Sequence, residues 1–294
     1  MARIIGEGSY VQARKQIRRS AMLYRQACLC ARRLKRCPLA SLSVVVIVKN
    51  EAHNIEACLR SVAFADEILV LDSGSTDGTD QIARSLGAGV TVNSDWQGFG
   101  VQKNRALALA RCDWVLSIDA DERVTSELQS AIRQAVNAPA FDAYRFPRSS
   151  SYCGQYMRLS GWYPDYVTRL FRRGSARFSD DLVHEKVITS ERVGKLQPPL
   201  LHESFRSFEA VLDKTNRYST AGAQVLFNKS RNASVGKAVG HGLWAFVRTY
   251  FLQFGVLDGR MGFVLAISNA EGTYYRYLKL WLLQRNAGKR PPAK

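Results

Sequence analysis

Asp72 follows one apolar run (Ile68 to Leu71), and Asp119 and Asp121 follow another (Trp114 to Ile118); the two strand ends lie 47 positions apart. Each run precedes a helix-like stretch. Parallel strands set their C-terminal ends along one sheet edge, where ligands bind. Carboxylates far apart in sequence are therefore expected at one site. Gathered carboxylates repel unless a positive charge lies between them, and a divalent cation holding a pyrophosphate is the expected partner. Oxygen ligands of this kind suit Mg²⁺ or Mn²⁺.

The segment after Asp72 (Ser73, Gly74, Ser75, Thr76, Asp77, Gly78, Thr79) reads as a tight polar turn into a helix, with Asp77 or Thr76 as its N-cap. A carboxylate at such a strand end accepts hydrogen bonds from a base N–H or from ribose hydroxyls. The sequence has neither Gly-x-Gly-x-x-Gly nor a Walker segment. That argues against NAD and against a P-loop as the way the nucleotide is held.

The elements that must position these residues alternate. Ser43 to Val48, Glu67 to Leu71, Gly89 to Val92 and Trp114 to Ile118 read as strands. Ala52 to Val62, Gly78 to Leu86, Val101 to Ala110 (Ala106, Leu109 and Ala110 facing in) and Ser126 to Val136 read as helices. Strands alternating with helices of about ten residues imply right-handed βαβ units and a mainly parallel sheet flanked by helices, an α/β fold. Residues 141–204 are aromatic and Arg-rich, with short strands and turns. From Phe205 the chain turns helical, and Leu243, Phe246, Val247, Tyr250, Phe251 and Phe254 recur at helical spacing, with Trp244 and Leu252 widening that face. Gly255 reads as its cap and Leu257-Asp258-Gly259 as a turn. Four segments follow: a basic extension at 1–40, a nucleotide-binding catalytic domain at 41–204, a helical acceptor- and membrane-association region at 205–285 and a basic tail at 286–294.

The chain has 294 residues and a net charge of +17. By segment the charge is +9 over 1–40, −1 over 41–199 and +9 over 200–294. A nucleic-acid enzyme would carry its charge beside its site, so nucleic acid is not the expected partner. Basic flanks around a neutral body suit an anionic membrane surface. Arg14, Arg18, Arg25, Arg32 and Arg36 share a helical stripe, and Ile17, Ala21, Tyr24, Cys28 and Ala31 form a weaker apolar stripe, which reads as a basic amphipathic helix. Tyr274, Tyr275, Tyr277 and Trp281 among Arg276, Lys279 and Arg285 have the composition of a membrane interface. No apolar run reaches the roughly 18 residues of a transmembrane helix, and no secretory leader is expected. Six scattered cysteines without zinc spacing fit a reducing compartment.

Four ordered segments then carry a family resemblance. They are Val46-Ile47-Val48-Lys49-Asn50-Glu51, Asp72 to Thr79, Gly98-Phe99-Gly100-Val101-Gln102-Lys103-Asn104-Arg105-Ala106 and Asp119-Ala120-Asp121-Glu122. Together they resemble the inverting family-2 glycosyltransferases of GT-A (Rossmann-like) fold. Gly161-Trp162-Tyr163-Pro164-Asp165, Arg169-Leu170-Phe171, Val183-His184-Glu185, Lys214 to Ser219 and Leu257 to Phe263 narrow this to the bacterial branch with the lipopolysaccharide inner-core heptose β-1,4-glucosyltransferases. The resemblance spans about residues 41–285. It implies a hexosyltransferase, peripheral on the cytoplasmic face of a bacterial inner membrane, taking a UDP-sugar as donor and an anionic glycolipid as acceptor. It also implies roles. Glu51 and Asp72 hold the uracil and ribose end, and Lys103 the diphosphate or base. Asp119 and Asp121 hold metal and diphosphate, with His184 or His202 as a further metal ligand. Glu185 is the leading general base, with Asp181 and Asp165 as rivals, since this family commonly has Glu-Asp where this chain has His-Glu. Trp162 and Tyr163 offer faces for a sugar, and Arg169 a fork for an acceptor phosphate. The alternatives are a polyprenyl-phosphate or other cell-surface glycan acceptor and, from another class, a non-catalytic basic lipid- or nucleic-acid-binding module.

Overall fold

β1 (Leu42–Val48) is β-branched almost throughout and buried along nearly its whole length, as a strand covered on both faces must be. A computed structural model describes residues 40–179 and 185–287. The basic stripe of the first 39 residues, Asp181, His184 and the end of the tail lie outside the described residues.

Around β1 the chain builds parallel βαβ units. β1 pairs in parallel with β2 (Glu67–Asp72) on one side and β4 (Trp114–Asp119) on the other, and β3 (Gly89–Val92) extends the sheet beyond β2. The crossover helices are α1 (Ala52–Ser61), α2 (Thr79–Ser85) and α3 (Phe99–Leu109). After β4 come β5 (Glu122–Val124), α4 (Ser126–Asn137), β6 (Ala143–Tyr152), β7 (Gln155–Tyr156) and β8 (Asp165–Arg172). β9 (Ala176–Phe178), β10 (Val187–Thr189), β11 (Val193–Lys195) and β12 (Leu200–Phe205) complete the strands of the described residues. The large sheet runs β3-β2-β1-β4-β8-β6-β12-β5, with β7 and β11 also on β6, while β9 and β10 pair separately. β8 enters antiparallel beside β4. The parallel half and this mixed half form the expected α/β arrangement, followed by a helical region.

That region comprises α5 (Phe208–Asn228), α6 (Val235–Val247) and α7 (Gly259–Ala287). Helical winding continues past α6 through a π turn, Arg248–Leu252, and a 3₁₀ turn, Gly255–Asp258, precedes α7. Gly255 therefore opens the second turn, and the residue before it, Phe254, takes the left-handed conformation. No single helix of the described residues is long and apolar enough to cross a membrane.

Two clusters hold the body together. Val45, Leu71, Ala106, Phe171 and Phe178 fill the space between the sheet and α3. Tyr152, Met157, Val211 and Leu265, with Trp162 and Phe205 against them, join the far end of the sheet to the helices. Asp258 fastens the same junction: its carboxylate accepts from the backbone N–H of Arg158 (3.1 Å) and Leu159 (3.1 Å) and from Ser160 Oγ (2.8 Å). This gives the Leu257 to Phe263 segment a structural task. A Cβ on Gly262 would lie 1.9 Å from the Gly255 carbonyl oxygen. Gly262→Ala is therefore expected to lower stability by at least about 1–3 kcal/mol in denaturant unfolding, and an unchanged midpoint would contradict this close approach.

Candidate active site

The strand register brings the two acidic ends to one edge. Val48 is opposite Asp72 and Ile47 is opposite Asp119. With β1 between them, their Cα atoms stand about 10 Å apart, and because their partners Val48 and Ile47 are consecutive, the two side chains leave opposite faces of the sheet. Asp72 is also turned away. It is 2% exposed, and its Oδ1 accepts from the Ser75 backbone N–H (2.8 Å) and from Ser75 Oγ (2.7 Å). Its neighbour Ser73 lines the cavity together with Lys49 and Glu51. Asp72, expected at the nucleoside end, thus shapes the loop beside Ser73 through Oδ1.

The same loop is locked to the end of β1. Asn50 N–H donates to Ser75 Oγ (2.9 Å), Glu51 N–H to Thr79 Oγ1 (2.8 Å) and Ala52 N–H to Asp77 Oδ2 (3.0 Å). Gly78 is the N-cap of α2, with φ +88°, and no side chain caps there. Asp77 instead accepts from Thr79 N–H (3.1 Å) and Ala52 N–H, which replaces the expected Asp77 or Thr76 cap. Glu51 Oε2 is steadied by Asn54 Nδ2 at 2.8 Å.

Positive charge does lie beside Asp119, but the chain itself supplies it. Lys103 Nζ is 2.8 Å from Asp119 Oδ1, and Arg169 Nη2 is 2.6 Å from Asp119 Oδ2. Burial pushes the Asp119 carboxyl upward, but Arg169 and Lys103 outweigh it and hold the group well below the ordinary carboxylate range. Both oxygens of Asp119, the carboxylate expected at the metal and diphosphate, are ion-paired within the chain. Arg169 is 6% exposed and also contacts the fully buried Glu122 Oε1 at 3.1 Å. Arg169, expected to offer a fork to the acceptor, lines the cavity. Its Nε has no hydrogen-bond partner among the described residues.

Lys103 reaches further. The same Nζ is 2.7 Å from Glu185 Oε1, so one buried ammonium links Glu185 to the Asp119 end. α3 carries it there because Gln102 and Lys103 face inward among small residues. Gln102 Nε2 donates to Ser73 Oγ (3.0 Å) and to the Asn93 carbonyl (3.1 Å). Asp165, a rival for the base role, lines the same cavity and, like Glu185, is ion-paired, with Arg148 Nη2 2.6 Å away.

Asp121 faces a different partner. β5 pairs antiparallel with β12, setting His202 opposite Glu122, and the Glu203 N–H donates to the Asp121 carbonyl (2.8 Å). His202 Nε2 then lies 3.2 Å from Asp121 Oδ2, while its Nδ1 is 2.9 Å from Ser150 Oγ. A carboxylate and an imidazole held from behind suit Mn²⁺ or Mg²⁺ as two protein ligands, with the remaining positions open for phosphate oxygens. Among the described residues no group of three His, Cys, Asp or Glu side chains gathers as a protein cage.

These groups line one cavity of about 980 Å³, including Glu51, Lys103, Asp119, Asp121, Glu185 and His202. At its rim Trp96 and Phe99 meet edge to face, with ring centroids 4.9 Å apart. Trp162 does not line it. Its ring packs 5.6 Å from Tyr152 and 6.2 Å from Phe205 in the apolar cluster. Tyr163 does not line it either. The pair expected to offer sugar-stacking faces therefore stands outside this cavity, and both residues are half-buried. Sequence reasoning assigned no role to Arg148, Glu122 or the Trp96–Phe99 rim. Only the aromatic residues flanking the Gly98 segment could have signalled the rim.

Residues 43–188 match the sequence family described as Glycosyl transferase family 2. An uncharacterized glycosyltransferase of Rickettsia prowazekii is 31% identical over 255 residues, covering 82% of this chain and 87% of that protein. The chain belongs to glycosyltransferase family 2. The lipopolysaccharide core biosynthesis glycosyltransferase LpsC of Rhizobium meliloti is 29% identical, over 87% of this chain and 96% of that protein. Among solved structures, S. aureus TarS 1-349 matches 83% of this chain and 92% of its own at 15% identity, with a TM-score of 0.44. Glucosyl-3-phosphoglycerate synthase from Mycobacterium tuberculosis, in complex with Mn²⁺, UDP and glucosyl-3-phosphoglycerate, matches 39% of this chain and 45% of its own at 28% identity, with a TM-score of 0.32.

Proposed function

We propose that this glycosyltransferase moves a hexose, glucose foremost, from a UDP-sugar to a membrane glycolipid, the anionic lipopolysaccharide inner core, with inversion at the sugar carbon. The observation that carries the reading is the meeting of Glu185, Lys103, Asp119, Asp121 and His202 in one cavity at the strand ends. The likeness to LpsC supports the choice of acceptor.

The UDP end would lie by Glu51 and Ser73, beside the end of β1. Asp121 and His202 would hold Mg²⁺ or Mn²⁺, which when bound neutralises diphosphate charge as the leaving group departs. Glu185 takes the proton from the acceptor hydroxyl. The hydroxyl oxygen bonds to the anomeric carbon as the carbon–phosphate oxygen bond breaks, and that electron pair leaves on UDP. Lys103 keeps Glu185 fixed for this step, and Arg169 with Lys103 holds Asp119 in place beside it. Occupation of one face by UDP and of the opposite face by the base makes the product β when the donor is α.

The test is Asp121→Ala, assayed for transfer from UDP-glucose and other UDP-sugars with Mn²⁺ or with EDTA. Wild type should lose activity in EDTA and regain it with metal, and Asp121→Ala should be inactive in both. Transfer retained in EDTA would overturn the metal role. Inertness with every donor would favour a binding module.

A further inference from the structure

We propose that the bend between α6 and α7 is a bilayer-inserting wedge that seats the enzyme on anionic phospholipid. The helical segments Val235–Leu252 and Gly255–Ala287 meet at 72°. At their junction Phe251, Leu252, Phe254, Val256 and Leu257 are all exposed, Leu257 at 72%. The patch extends back along α6 through Leu243, Trp244 and Val247, and across to Phe263, whose ring lies 5.8 Å from that of Phe246. A monomeric soluble protein rarely leaves so continuous an apolar surface in water.

Backbone conformation agrees. Phe254 holds φ +56° while its ring is 59% exposed. A bulky residue in the left-handed region is an outlier, and no packing of the ring accounts for it.

Charge identifies the occupant. From Lys229 to Arg260 the exposed charged residues are Lys229, Arg231, Lys237, Arg248 and Arg260, all basic. The one acid in that stretch, Asp258, is turned inward onto the Arg158–Ser160 backbone and hydroxyl. A second copy placed on a twofold axis would set basic surface against basic surface. An anionic lipid surface complements it, with Trp244 at headgroup depth. No single helix of the described residues is long and apolar enough to cross a membrane, and the bent pair is placed in the interface, buried by about 5–10 Å.

This docking deepens the glycolipid reading, on which its biological sense rests, but its test is independent of donor and acceptor. The full chain is floated with acceptor-free phosphatidylethanolamine vesicles, with and without phosphatidylglycerol. Wild type should partition onto the anionic vesicles. Leu252→Ser with Leu257→Ser should lower the partition coefficient at least about tenfold, whereas Val92→Ser, an exposed site on β3, should leave it unchanged. Phe254→Gly suits φ +56°, so it should keep or raise the thermal midpoint while weakening binding. Wild-type binding by these variants, no binding by wild type, or a dimer abolished by the same substitutions would each overturn the proposal. Hexose transfer to a deacylated, water-soluble acceptor reads the catalytic proposal separately.

Discussion

Glu185→Gln is expected to lower hexose transfer by about 10²–10⁴-fold, the range for removing a positioned general base, with donor affinity nearly unchanged. The amide can still accept from Lys103, which now lies 2.7 Å from Glu185 Oε1, so the cavity should keep its shape. The loss should fall on kcat rather than on donor KM. Asp165→Asn is the internal comparison, because Asp165 lines the same cavity and is likewise ion-paired, with Arg148 at 2.6 Å. Normal turnover by Glu185→Gln together with a collapse in Asp165→Asn would reassign the base.

Arg169→Ala is expected to destabilise the fold by about 3–5 kcal/mol, the usual consequence of leaving a buried charge uncompensated. Glu122 is 0% exposed, and after the substitution its nearest cation would be Arg148 Nη1 at 3.6 Å. Asp119 would keep Lys103 alone. Arg169→Ala combined with Glu122→Gln should recover part of the loss, because it removes the orphaned charge with its partner. Guanidinium unfolding reads both variants. A loss no larger than the about 0–1 kcal/mol of a surface ion pair would show that the buried network does not anchor the site.

The parallel half of the fold was legible because its signal is local. β1, β2 and β4 are continuous apolar runs, and their carboxylates appear at the strand ends where the sheet edge collects them. What the edge does with those carboxylates was less legible. Asp72 has the composition of a ligand-binding strand end, and Ser75, three residues on, donates two hydrogen bonds to its Oδ1. Arg169 and Arg148 act on Asp119, Glu122 and Asp165 through the pairing of β4, β8 and β6, and no periodicity encodes that register. His202 was visible only as a lone histidine, and antiparallel pairing of β12 with β5 delivers it to Asp121. Trp162 reads as a platform for a sugar, and its ring packs with Tyr152 and Phe205 outside this cavity. Lys103 was named for the diphosphate, and its link to Glu185 depends on β9, β10 and the approach of Glu185 to α3.

The most direct measurement is mass spectrometry of the cell-surface glycolipid from cells with the gene deleted and then restored. The account predicts a core lacking one hexose, restored by the wild-type gene and not by Glu185→Gln. An unchanged glycolipid in the deleted cells would contradict it.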